Sequence, residues 1–167
     1  IHPVIDSTNA KAMAHAITQD DPGYVCLAEQ QTAGRGRRGR AWISPYGKNI
    51  YMSALWGFDG GAAALEGLSL AVGVAIVRAL ESHGVTELKL KWPNDVLWRG
   101  RKLAGVLLEM TGDVAGYCQV VVGVGLNVSM PVEFGKNIDQ DWVDVSSICT
   151  ALGVEPLSRN ELLGGVL

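Results

Sequence analysis

Between Leu88 and Ser129 the apolar segments follow one another with only tight turns between them, and that succession leaves few folds open. Leu88 to Trp92 reads as a strand, Pro93-Asn94-Asp95 as a turn and Val96 to Trp98 as a short strand. Arg99-Gly100-Arg101 turns the chain into Lys102 to Met110, and Gly112-Asp113 precedes a further strand over Tyr117 to Ser129. Earlier strands are expected at Tyr24 to Glu29 and Asn49 to Trp56, the first preceded by a turn at Asp20-Asp21-Pro22-Gly23. Helices group elsewhere. One follows the candidate caps Asp6-Ser7-Thr8-Asn9 and runs over Ala10 to Ile17. A long one is expected from about Ala63 to His83, with Leu65, Leu68, Val72, Ile76 and Leu80 on one face and Gly84 as its stop. The last begins near Ser158, where Ser158 to Glu161 fits a capping box, and the segment holding Trp142 reads as irregular. The expected class is α+β, a mixed and largely antiparallel sheet flanked by helices.

The most hydrophobic stretch, Ala62 to Leu80, has the length of a membrane span, but Glu66, Ser69, Gly73 and Arg78 interrupt it. A core helix is the better reading. At 167 residues the chain fits a single domain, 1–167, and the final helix is barely two turns long when it stops at Leu167, as if cut within an element. Cys26, Cys118 and Cys149 lie far apart, with no CxxC or Cys/His ligand spacing, which suits reduced thiols in a cytoplasmic protein.

Four arginines alternate with glycine in Gly34-Arg35-Gly36-Arg37-Arg38-Gly39-Arg40. Glycine lets a backbone fold closely around a ligand, and guanidinium groups add forked, permanently charged donors suited to phosphate or carboxylate. Net charge is −3, so this loop is a local exception on a mildly acidic body, and bulk nucleic-acid binding is disfavoured. Four close arginines repel, so a bare loop of this kind should stay loose until an anion arrives. A solvated turn carrying surface charge is the plain alternative.

Lys89-Leu90-Lys91-Trp92-Pro93-Asn94-Asp95 places both lysines on one strand face, and Pro93 ends the strand so that Asn94 and Asp95 stand at its tip. There they can meet a metal-bound phosphate; an ordinary turn beside an exposed lysine is the alternative. Lys102 lies seven residues beyond Asp95 across a tight turn, so both can reach one pocket, and Gly105 would let a ligand lie against the strand. Val122-Gly123-Val124-Gly125-Leu126-Asn127-Val128 lacks the third glycine of a dinucleotide fingerprint and sits in a strand-like context, so its glycines mark close backbone approach instead. There is no Walker A motif and no Ser-His-Asp or Cys-His set. Chemistry, if present, rests on arginine and lysine charge with a phosphate-bound cation.

Taken in order, Asp6 to Asn9, Gln31 to Trp42 around GRGRRG, KWPND at Lys91 to Asp95, RKLAG at Arg101 to Gly105, GVGLN at Gly123 to Asn127, and Trp142 make the chain resemble biotin–protein ligases, specifically the central catalytic domain of the bacterial enzymes. The resemblance implies a fold like that of class II aminoacyl-tRNA synthetases and biotin ligases. It also implies a two-step reaction, in which biotin attacks ATP to give biotinyl-5′-adenylate and a lysine of a biotin carboxyl carrier protein, a subunit of acetyl-CoA carboxylase, then takes the biotin. By the same resemblance Ser7, Thr8, Asn9 and Gln31 hold the ureido end, and Gly34, Arg35, Gly36, Arg37, Lys102 and Gly105 complete the biotin site. Lys102, Arg37, Lys91 and Asp95 are the catalytic candidates. Trp42, Asn94, Asn127 and Trp142 are assigned to ATP, with Asp95 reaching Mg²⁺ through the phosphates.

The resemblance further implies a cytoplasmic enzyme with no membrane partner, and a homodimer is compatible with it. The larger bacterial enzymes carry a winged helix before this domain and a small β domain after it; neither is read in this sequence, so no nucleic-acid contact is expected through it. A lipoate-attaching ligase shares the acyl-adenylate chemistry, but its motif differs from GRGRRGR and KWPND. A nucleic-acid-binding module would use the arginine loop alone and leave Lys102, Asp95 and the cap cluster unexplained.

Overall fold

The protein was analysed as a computed structural model that describes every residue except Asp20, Asn137 and Leu167. Helix α1 spans Thr8–Thr18, followed by strands β1 (Val25–Ala28) and β2 (Ile50–Phe58), helix α2 (Leu68–Glu81), and strands β3 (Leu88–Lys91), β4 (Asp95–Trp98), β5 (Arg101–Gly112) and β6 (Cys118–Leu126). Three helices complete the chain: α3 (Val132–Gly135), α4 (Val145–Leu152) and α5 (Arg159–Val166). The strands form a single six-stranded sheet in the order β1-β2-β6-β5-β4-β3, and every pairing within it is antiparallel. The expected mixed character survives only in isolated parallel bridges, two of which lay residues 2 and 5 along the β1 edge, His2 with Ala28 and Ile5 with Gln31. The turn expected at Asp20 begins on a residue outside the described set.

The two faces of the sheet have different company. On β6, Val120, Val122, Val124 and Leu126 point into the main core with Ile76 and Leu80 of α2, Ile148 and Cys149 of α4, and Leu162 of α5. The alternate positions Val121, Gly123, Gly125 and Asn127 face the other way, where α1 covers one end by packing Ala12 and Ala16 against Leu55 of β2 and Val121. Glycine at two of those positions leaves this second face thin. The missing side chains are what open it.

The long expected helix is broken. The apolar stretch is 21 residues, Gly61–Glu81, and an 18-residue window within it has mean hydropathy 1.8. Gly67 adopts φ +79, in the left-handed region, and separates a 3₁₀ turn at Gly61–Leu65 from α2. Helix α2 then buries Gly73, Ile76, Ala79 and Leu80 against the sheet, as a core helix should.

Helix α4 is absent from the sequence reading, which took its region as irregular. Its signals are nevertheless present. Asp144 caps it by accepting the Ser147 N–H at 2.8 Å, and Gly153 closes it at φ +68. The capping box at the last helix is formed as expected, with Glu161 accepting from both the backbone and the hydroxyl of Ser158. All three cysteines are buried and free, and burial pushes the Cys26 and Cys149 thiols above their ordinary range.

Asp144 also accepts the Met130 N–H at 2.8 Å and is only 5% exposed, so it ties the β6 exit to α4 with both oxygens. Asp144→Ala should cost about 2 kcal/mol in urea unfolding, from a lost cap and a buried N–H left unmet. A change below a few tenths of a kcal/mol would contradict this reading of the cap.

A cation-lined cavity as the candidate active site

A cavity of about 570 Å³ opens on the thin face of the sheet, bounded by the N-terminus of α1, the arginine loop, the β3–β4 turn and the chain around Trp142. Gly105 of β5 and Gly125 of β6 are register partners, so two residues without side chains stand side by side in its floor. Trp42 lies over them. A Cβ on Gly125 would come within 2.4 Å of the indole, and one on Gly105 within 3.2 Å. The strip expected to receive a ligand directly is thus first covered by Trp42, whose Nε1 is buried and unpartnered. Gly123 makes similar room for Asn9, whose Oδ1 would lie 2.0 Å from an added Cβ. The close approach expected at these glycines is therefore made by side chains of other segments.

Lys102 reaches the cavity because β5 carries a bulge. Asp95 pairs with Gly105 and Val96 with Ala104, but Leu97 pairs with Lys102, so Leu103 is passed over. Without that extra residue Lys102 would share the parity of Ala104, which is fully buried in the core. With it, Leu103 and Ala104 both enter the core and Lys102 turns to the cavity side with Asp95 and Gly105. The backbone is then clamped, Lys102 N–H donating to Asp141 O and Lys102 O accepting from Val143 N–H, each at 2.9 Å. The ammonium sits 2.9 Å from Asp95 Oδ1 and 5.3 Å from the centre of the Trp42 ring. Both partners of that ion pair are about five-sixths buried, at 16% and 15% exposure, so the pairing is only weakly screened.

The β3–β4 turn supplies the next wall. Lys91, Asn94 and Asp95 all line the cavity, and the Asn94 amide is fixed by donating to Val106 O at 2.8 Å. Trp92 lines it too, although strand alternation assigns it to the opposite face from Lys91, and it stands 79% exposed at the rim.

The arginine loop folds as a closed turn. Gly36 N–H donates to Arg40 O at 2.8 Å and Trp42 N–H to Gly34 O at 2.9 Å, while Arg38 takes φ +57. Two of its charges have partners: Arg35 meets Glu109, and Arg37 Nη1 donates to Asn94 Oδ1 at 3.2 Å. Arg35, Gly36, Arg37, Arg38 and Arg40 line the cavity. Gly34 does not. It is buried beneath the loop, where a Cβ would fall 2.5 Å from Trp42 O and 2.8 Å from Ser44 Oγ.

At the other end the walls are neutral. Ser7, Thr8 and Asn9 are buried at the start of α1, and Gln31 faces them. Gln31 Oε1 accepts the Thr8 N–H at 2.9 Å, Gln31 Nε2 reaches Ser44 Oγ at 3.2 Å, and Ser53 Oγ lies 2.6 Å from Asn9 Oδ1. Asn127, buried, donates to Val143 O at 3.2 Å, and Trp142 packs over Gly135 of α3; both line the cavity. Every candidate residue except Gly34 is thereby gathered around one space. Sequence reasoning missed Ser53 and Glu109. Ser53 carried no motif, and its only signal is a small polar side chain in the otherwise apolar and aromatic strand β2.

Six cationic side chains line the cavity, Arg35, Arg37, Arg38, Arg40, Lys91 and Lys102, against the carboxylates Asp95 and Asp139. A polyanion is the ligand such a balance favours. Among the described residues no group of three or more His, Cys, Asp or Glu could hold a metal ion by itself. Asp95 beside Asn94 suits a cation that arrives on phosphates, since Mg²⁺ is commonly held through one or two carboxylates and substrate oxygens. Gly125→Ala should lift the indole from the floor. The readout is acrylamide quenching of Trp42, taken as the difference from the same protein with Trp42→Phe, and it should rise; unchanged quenching would show that the floor tolerates a methyl group.

Comparison with known proteins agrees with this geometry. The sequence pattern of the Biotin/lipoate A/B protein ligase family matches residues 1–127. The bifunctional ligase/repressor BirA of Escherichia coli is 43% identical over 141 residues, 84% of this chain and 44% of that protein. The biotin–[acetyl-CoA-carboxylase] ligase of Mycobacterium tuberculosis is 40% identical over 166 residues, 96% of this chain and 58% of that protein. The chain therefore spans about half the length of these relatives. The crystal structure of Leishmania major biotin protein ligase in complex with biotinyl-5-AMP superposes with a TM-score of 0.80 at 25% identity, over 99% of this chain and 70% of that one. The chain belongs to the biotin/lipoate A/B protein ligase family.

Proposed function

We propose that the protein is an ATP-dependent ligase that activates biotin as biotinyl-5′-adenylate and transfers it to a lysine of a biotin carboxyl carrier protein. The observation that carries this reading is the division of one cavity into a neutral, hydrogen-bonding end and a cationic end. A bicyclic urea offers N–H donors and a carbonyl acceptor, which Ser7, Thr8, Asn9 and Gln31 can meet. A carboxylate approaching a triphosphate brings two anions together, and Lys102, Arg37 and Lys91 can cancel their repulsion. The relatives' names and the adenylate-bound neighbour support the same substrate pair.

In the first step a carboxylate oxygen of biotin forms a bond to the α-phosphorus of ATP, and the bond from that phosphorus to the pyrophosphate oxygen breaks. Charge accumulates on the α-phosphate oxygens. Lys102 is the group proposed to stabilise it, released from Asp95 as the phosphates enter. Arg35, Gly36 and Arg37 would cover the carboxylate and phosphate. Asn94 and Asp95 would lie by the Mg²⁺ that ATP brings, which adds positive charge at the phosphates. Trp42, Asn127 and Trp142 supply the flat and polar walls proposed for adenine. In the second step the acceptor's neutral lysine amine attacks the acyl carbon, AMP leaves, and the amine's extra proton is lost. A loop closed over the intermediate keeps water from it.

A lipoyl substrate is the family's other chemistry. Its dithiolane ring has no N–H or carbonyl to satisfy the Ser7, Thr8, Asn9 and Gln31 end, and burying those groups unmet is costly. That favours biotin. A cytoplasmic location, homodimerisation and the absence of nucleic-acid contacts belong to this proposal as well.

Lys102→Ala should lower biotin-dependent pyrophosphate release by roughly 10²–10³-fold while far-UV circular dichroism stays unchanged. Release at a near wild-type rate would remove Lys102 from the chemistry. Release by the wild type with lipoate and not with biotin would overturn the substrate assignment.

A further inference from the structure

Glu109 belongs to none of the motifs that point to the chemistry, yet it holds two residues that do. It sits on β5 two residues beyond Leu107 and four beyond Gly105, on the same strand face, with its carboxylate directed toward the start of α1. Arg35 Nη2 donates to both of its oxygens, at 2.8 and 2.6 Å, and Asn9 Nδ2 donates to Oε2 at 2.9 Å. Two donors from separate segments converge on one group, and Arg35 also reaches its second oxygen. An ionised carboxylate accepts all three contacts; an amide of the same shape would set its NH₂ against Arg35 Nη2 at one of them and carry no charge to meet the guanidinium.

The orientation of Asn9 follows. With Nδ2 committed to Glu109, Oδ1 faces Ser53 Oγ at 2.6 Å and must accept from it. Reversing the Asn9 amide would set a donor against Ser53 and an acceptor against the carboxylate. The same carboxylate balances one of the four loop arginines, which lowers the repulsion that would otherwise open the turn. Arg35 and Glu109 are 43% and 29% exposed, so this contact lies at the rim, where it can be made and released.

We propose that Glu109 is a positioning residue: it latches the arginine loop through Arg35 and orients Asn9 at the neutral end, so that closure of the loop and recognition at that end are linked. The consequence for biotin rests on the ligase reading above; the latch itself does not.

The test uses Glu109→Gln, which keeps the shape and loses the charge, and Glu109→Asp, which is shorter but still accepts only. Limited trypsin digestion without ligand reads cleavage at Arg35, Arg37, Arg38 and Arg40, with cleavage at Lys11 and Arg78 as the control for folding. Glu109→Gln should speed loop cleavage and weaken biotin binding, each by about fivefold, the scale of a rim charge pair with a charge-assisted hydrogen bond. Glu109→Asp should keep most of the protection. In an Arg35→Gln background Glu109→Gln should add no further loop cleavage. Unchanged loop cleavage in Glu109→Gln overturns the latch, and equal losses in Gln and Asp overturn the role of charge. If the wild type binds no biotin, the ligase reading fails while the digestion result still decides the latch.

Discussion

One residue too many in a strand governs where the Lys102 charge goes. The bulge at Leu103 reverses the facing of Lys102, so a lysine that simple alternation would send into an apolar core stands instead beside Asp95 and over the glycine floor. An unpaired ammonium in that core would carry a desolvation cost of several kcal/mol, so the sheet cannot slip back without destabilising itself. Leu103 in the core and the clamp from Asp141 and Val143 hold the bulge in place. The packing of one face thus fixes the chemistry of the other.

The second constraint is charge. Cations crowd one cavity, and the protein partly neutralises them internally: Asp95 meets Lys102, Glu109 meets Arg35, and Asn94 gives Arg37 an oxygen. Each partner is an oxygen that a phosphate or carboxylate oxygen could replace. The loop that covers the cavity is therefore held by contacts a polyanion can compete for. Trp42 plays a parallel part for the apolar surface, covering the Gly105 and Gly125 strip that would otherwise be bare backbone.

Much of this was legible in the residues, and the exceptions have physical causes. Tight turns at Asn94 and Gly100 announced antiparallel neighbours, and the capping box at Ser158 formed where its spacing placed it. The break at Gly67 was missed because the apolar spacing continues across it; periodicity records which face is buried but not whether the backbone stays helical. Helix α4 was missed although Asp144 and Gly153 bound it, because eight residues give too short a period to stand out. At the site, motifs located the groups that would meet a ligand. They did not find Glu109, whose importance comes from Asn9 and Arg35, which lie 100 and 74 positions away in the chain. Nor could spacing show that Gly34 serves the loop's packing rather than the cavity wall, since that depends on Trp42 and Ser44 folding back beneath it.

The central claim is that a neutral cradle and a cationic loop share one cavity built for biotin and its activation by ATP. Titration calorimetry of the protein with biotin, repeated after adding a non-hydrolysable ATP analogue with Mg²⁺, tests it most directly. The account predicts saturable heat with biotin alone and tighter binding in the presence of the nucleotide. No heat with biotin under either condition, from folded protein, would contradict it.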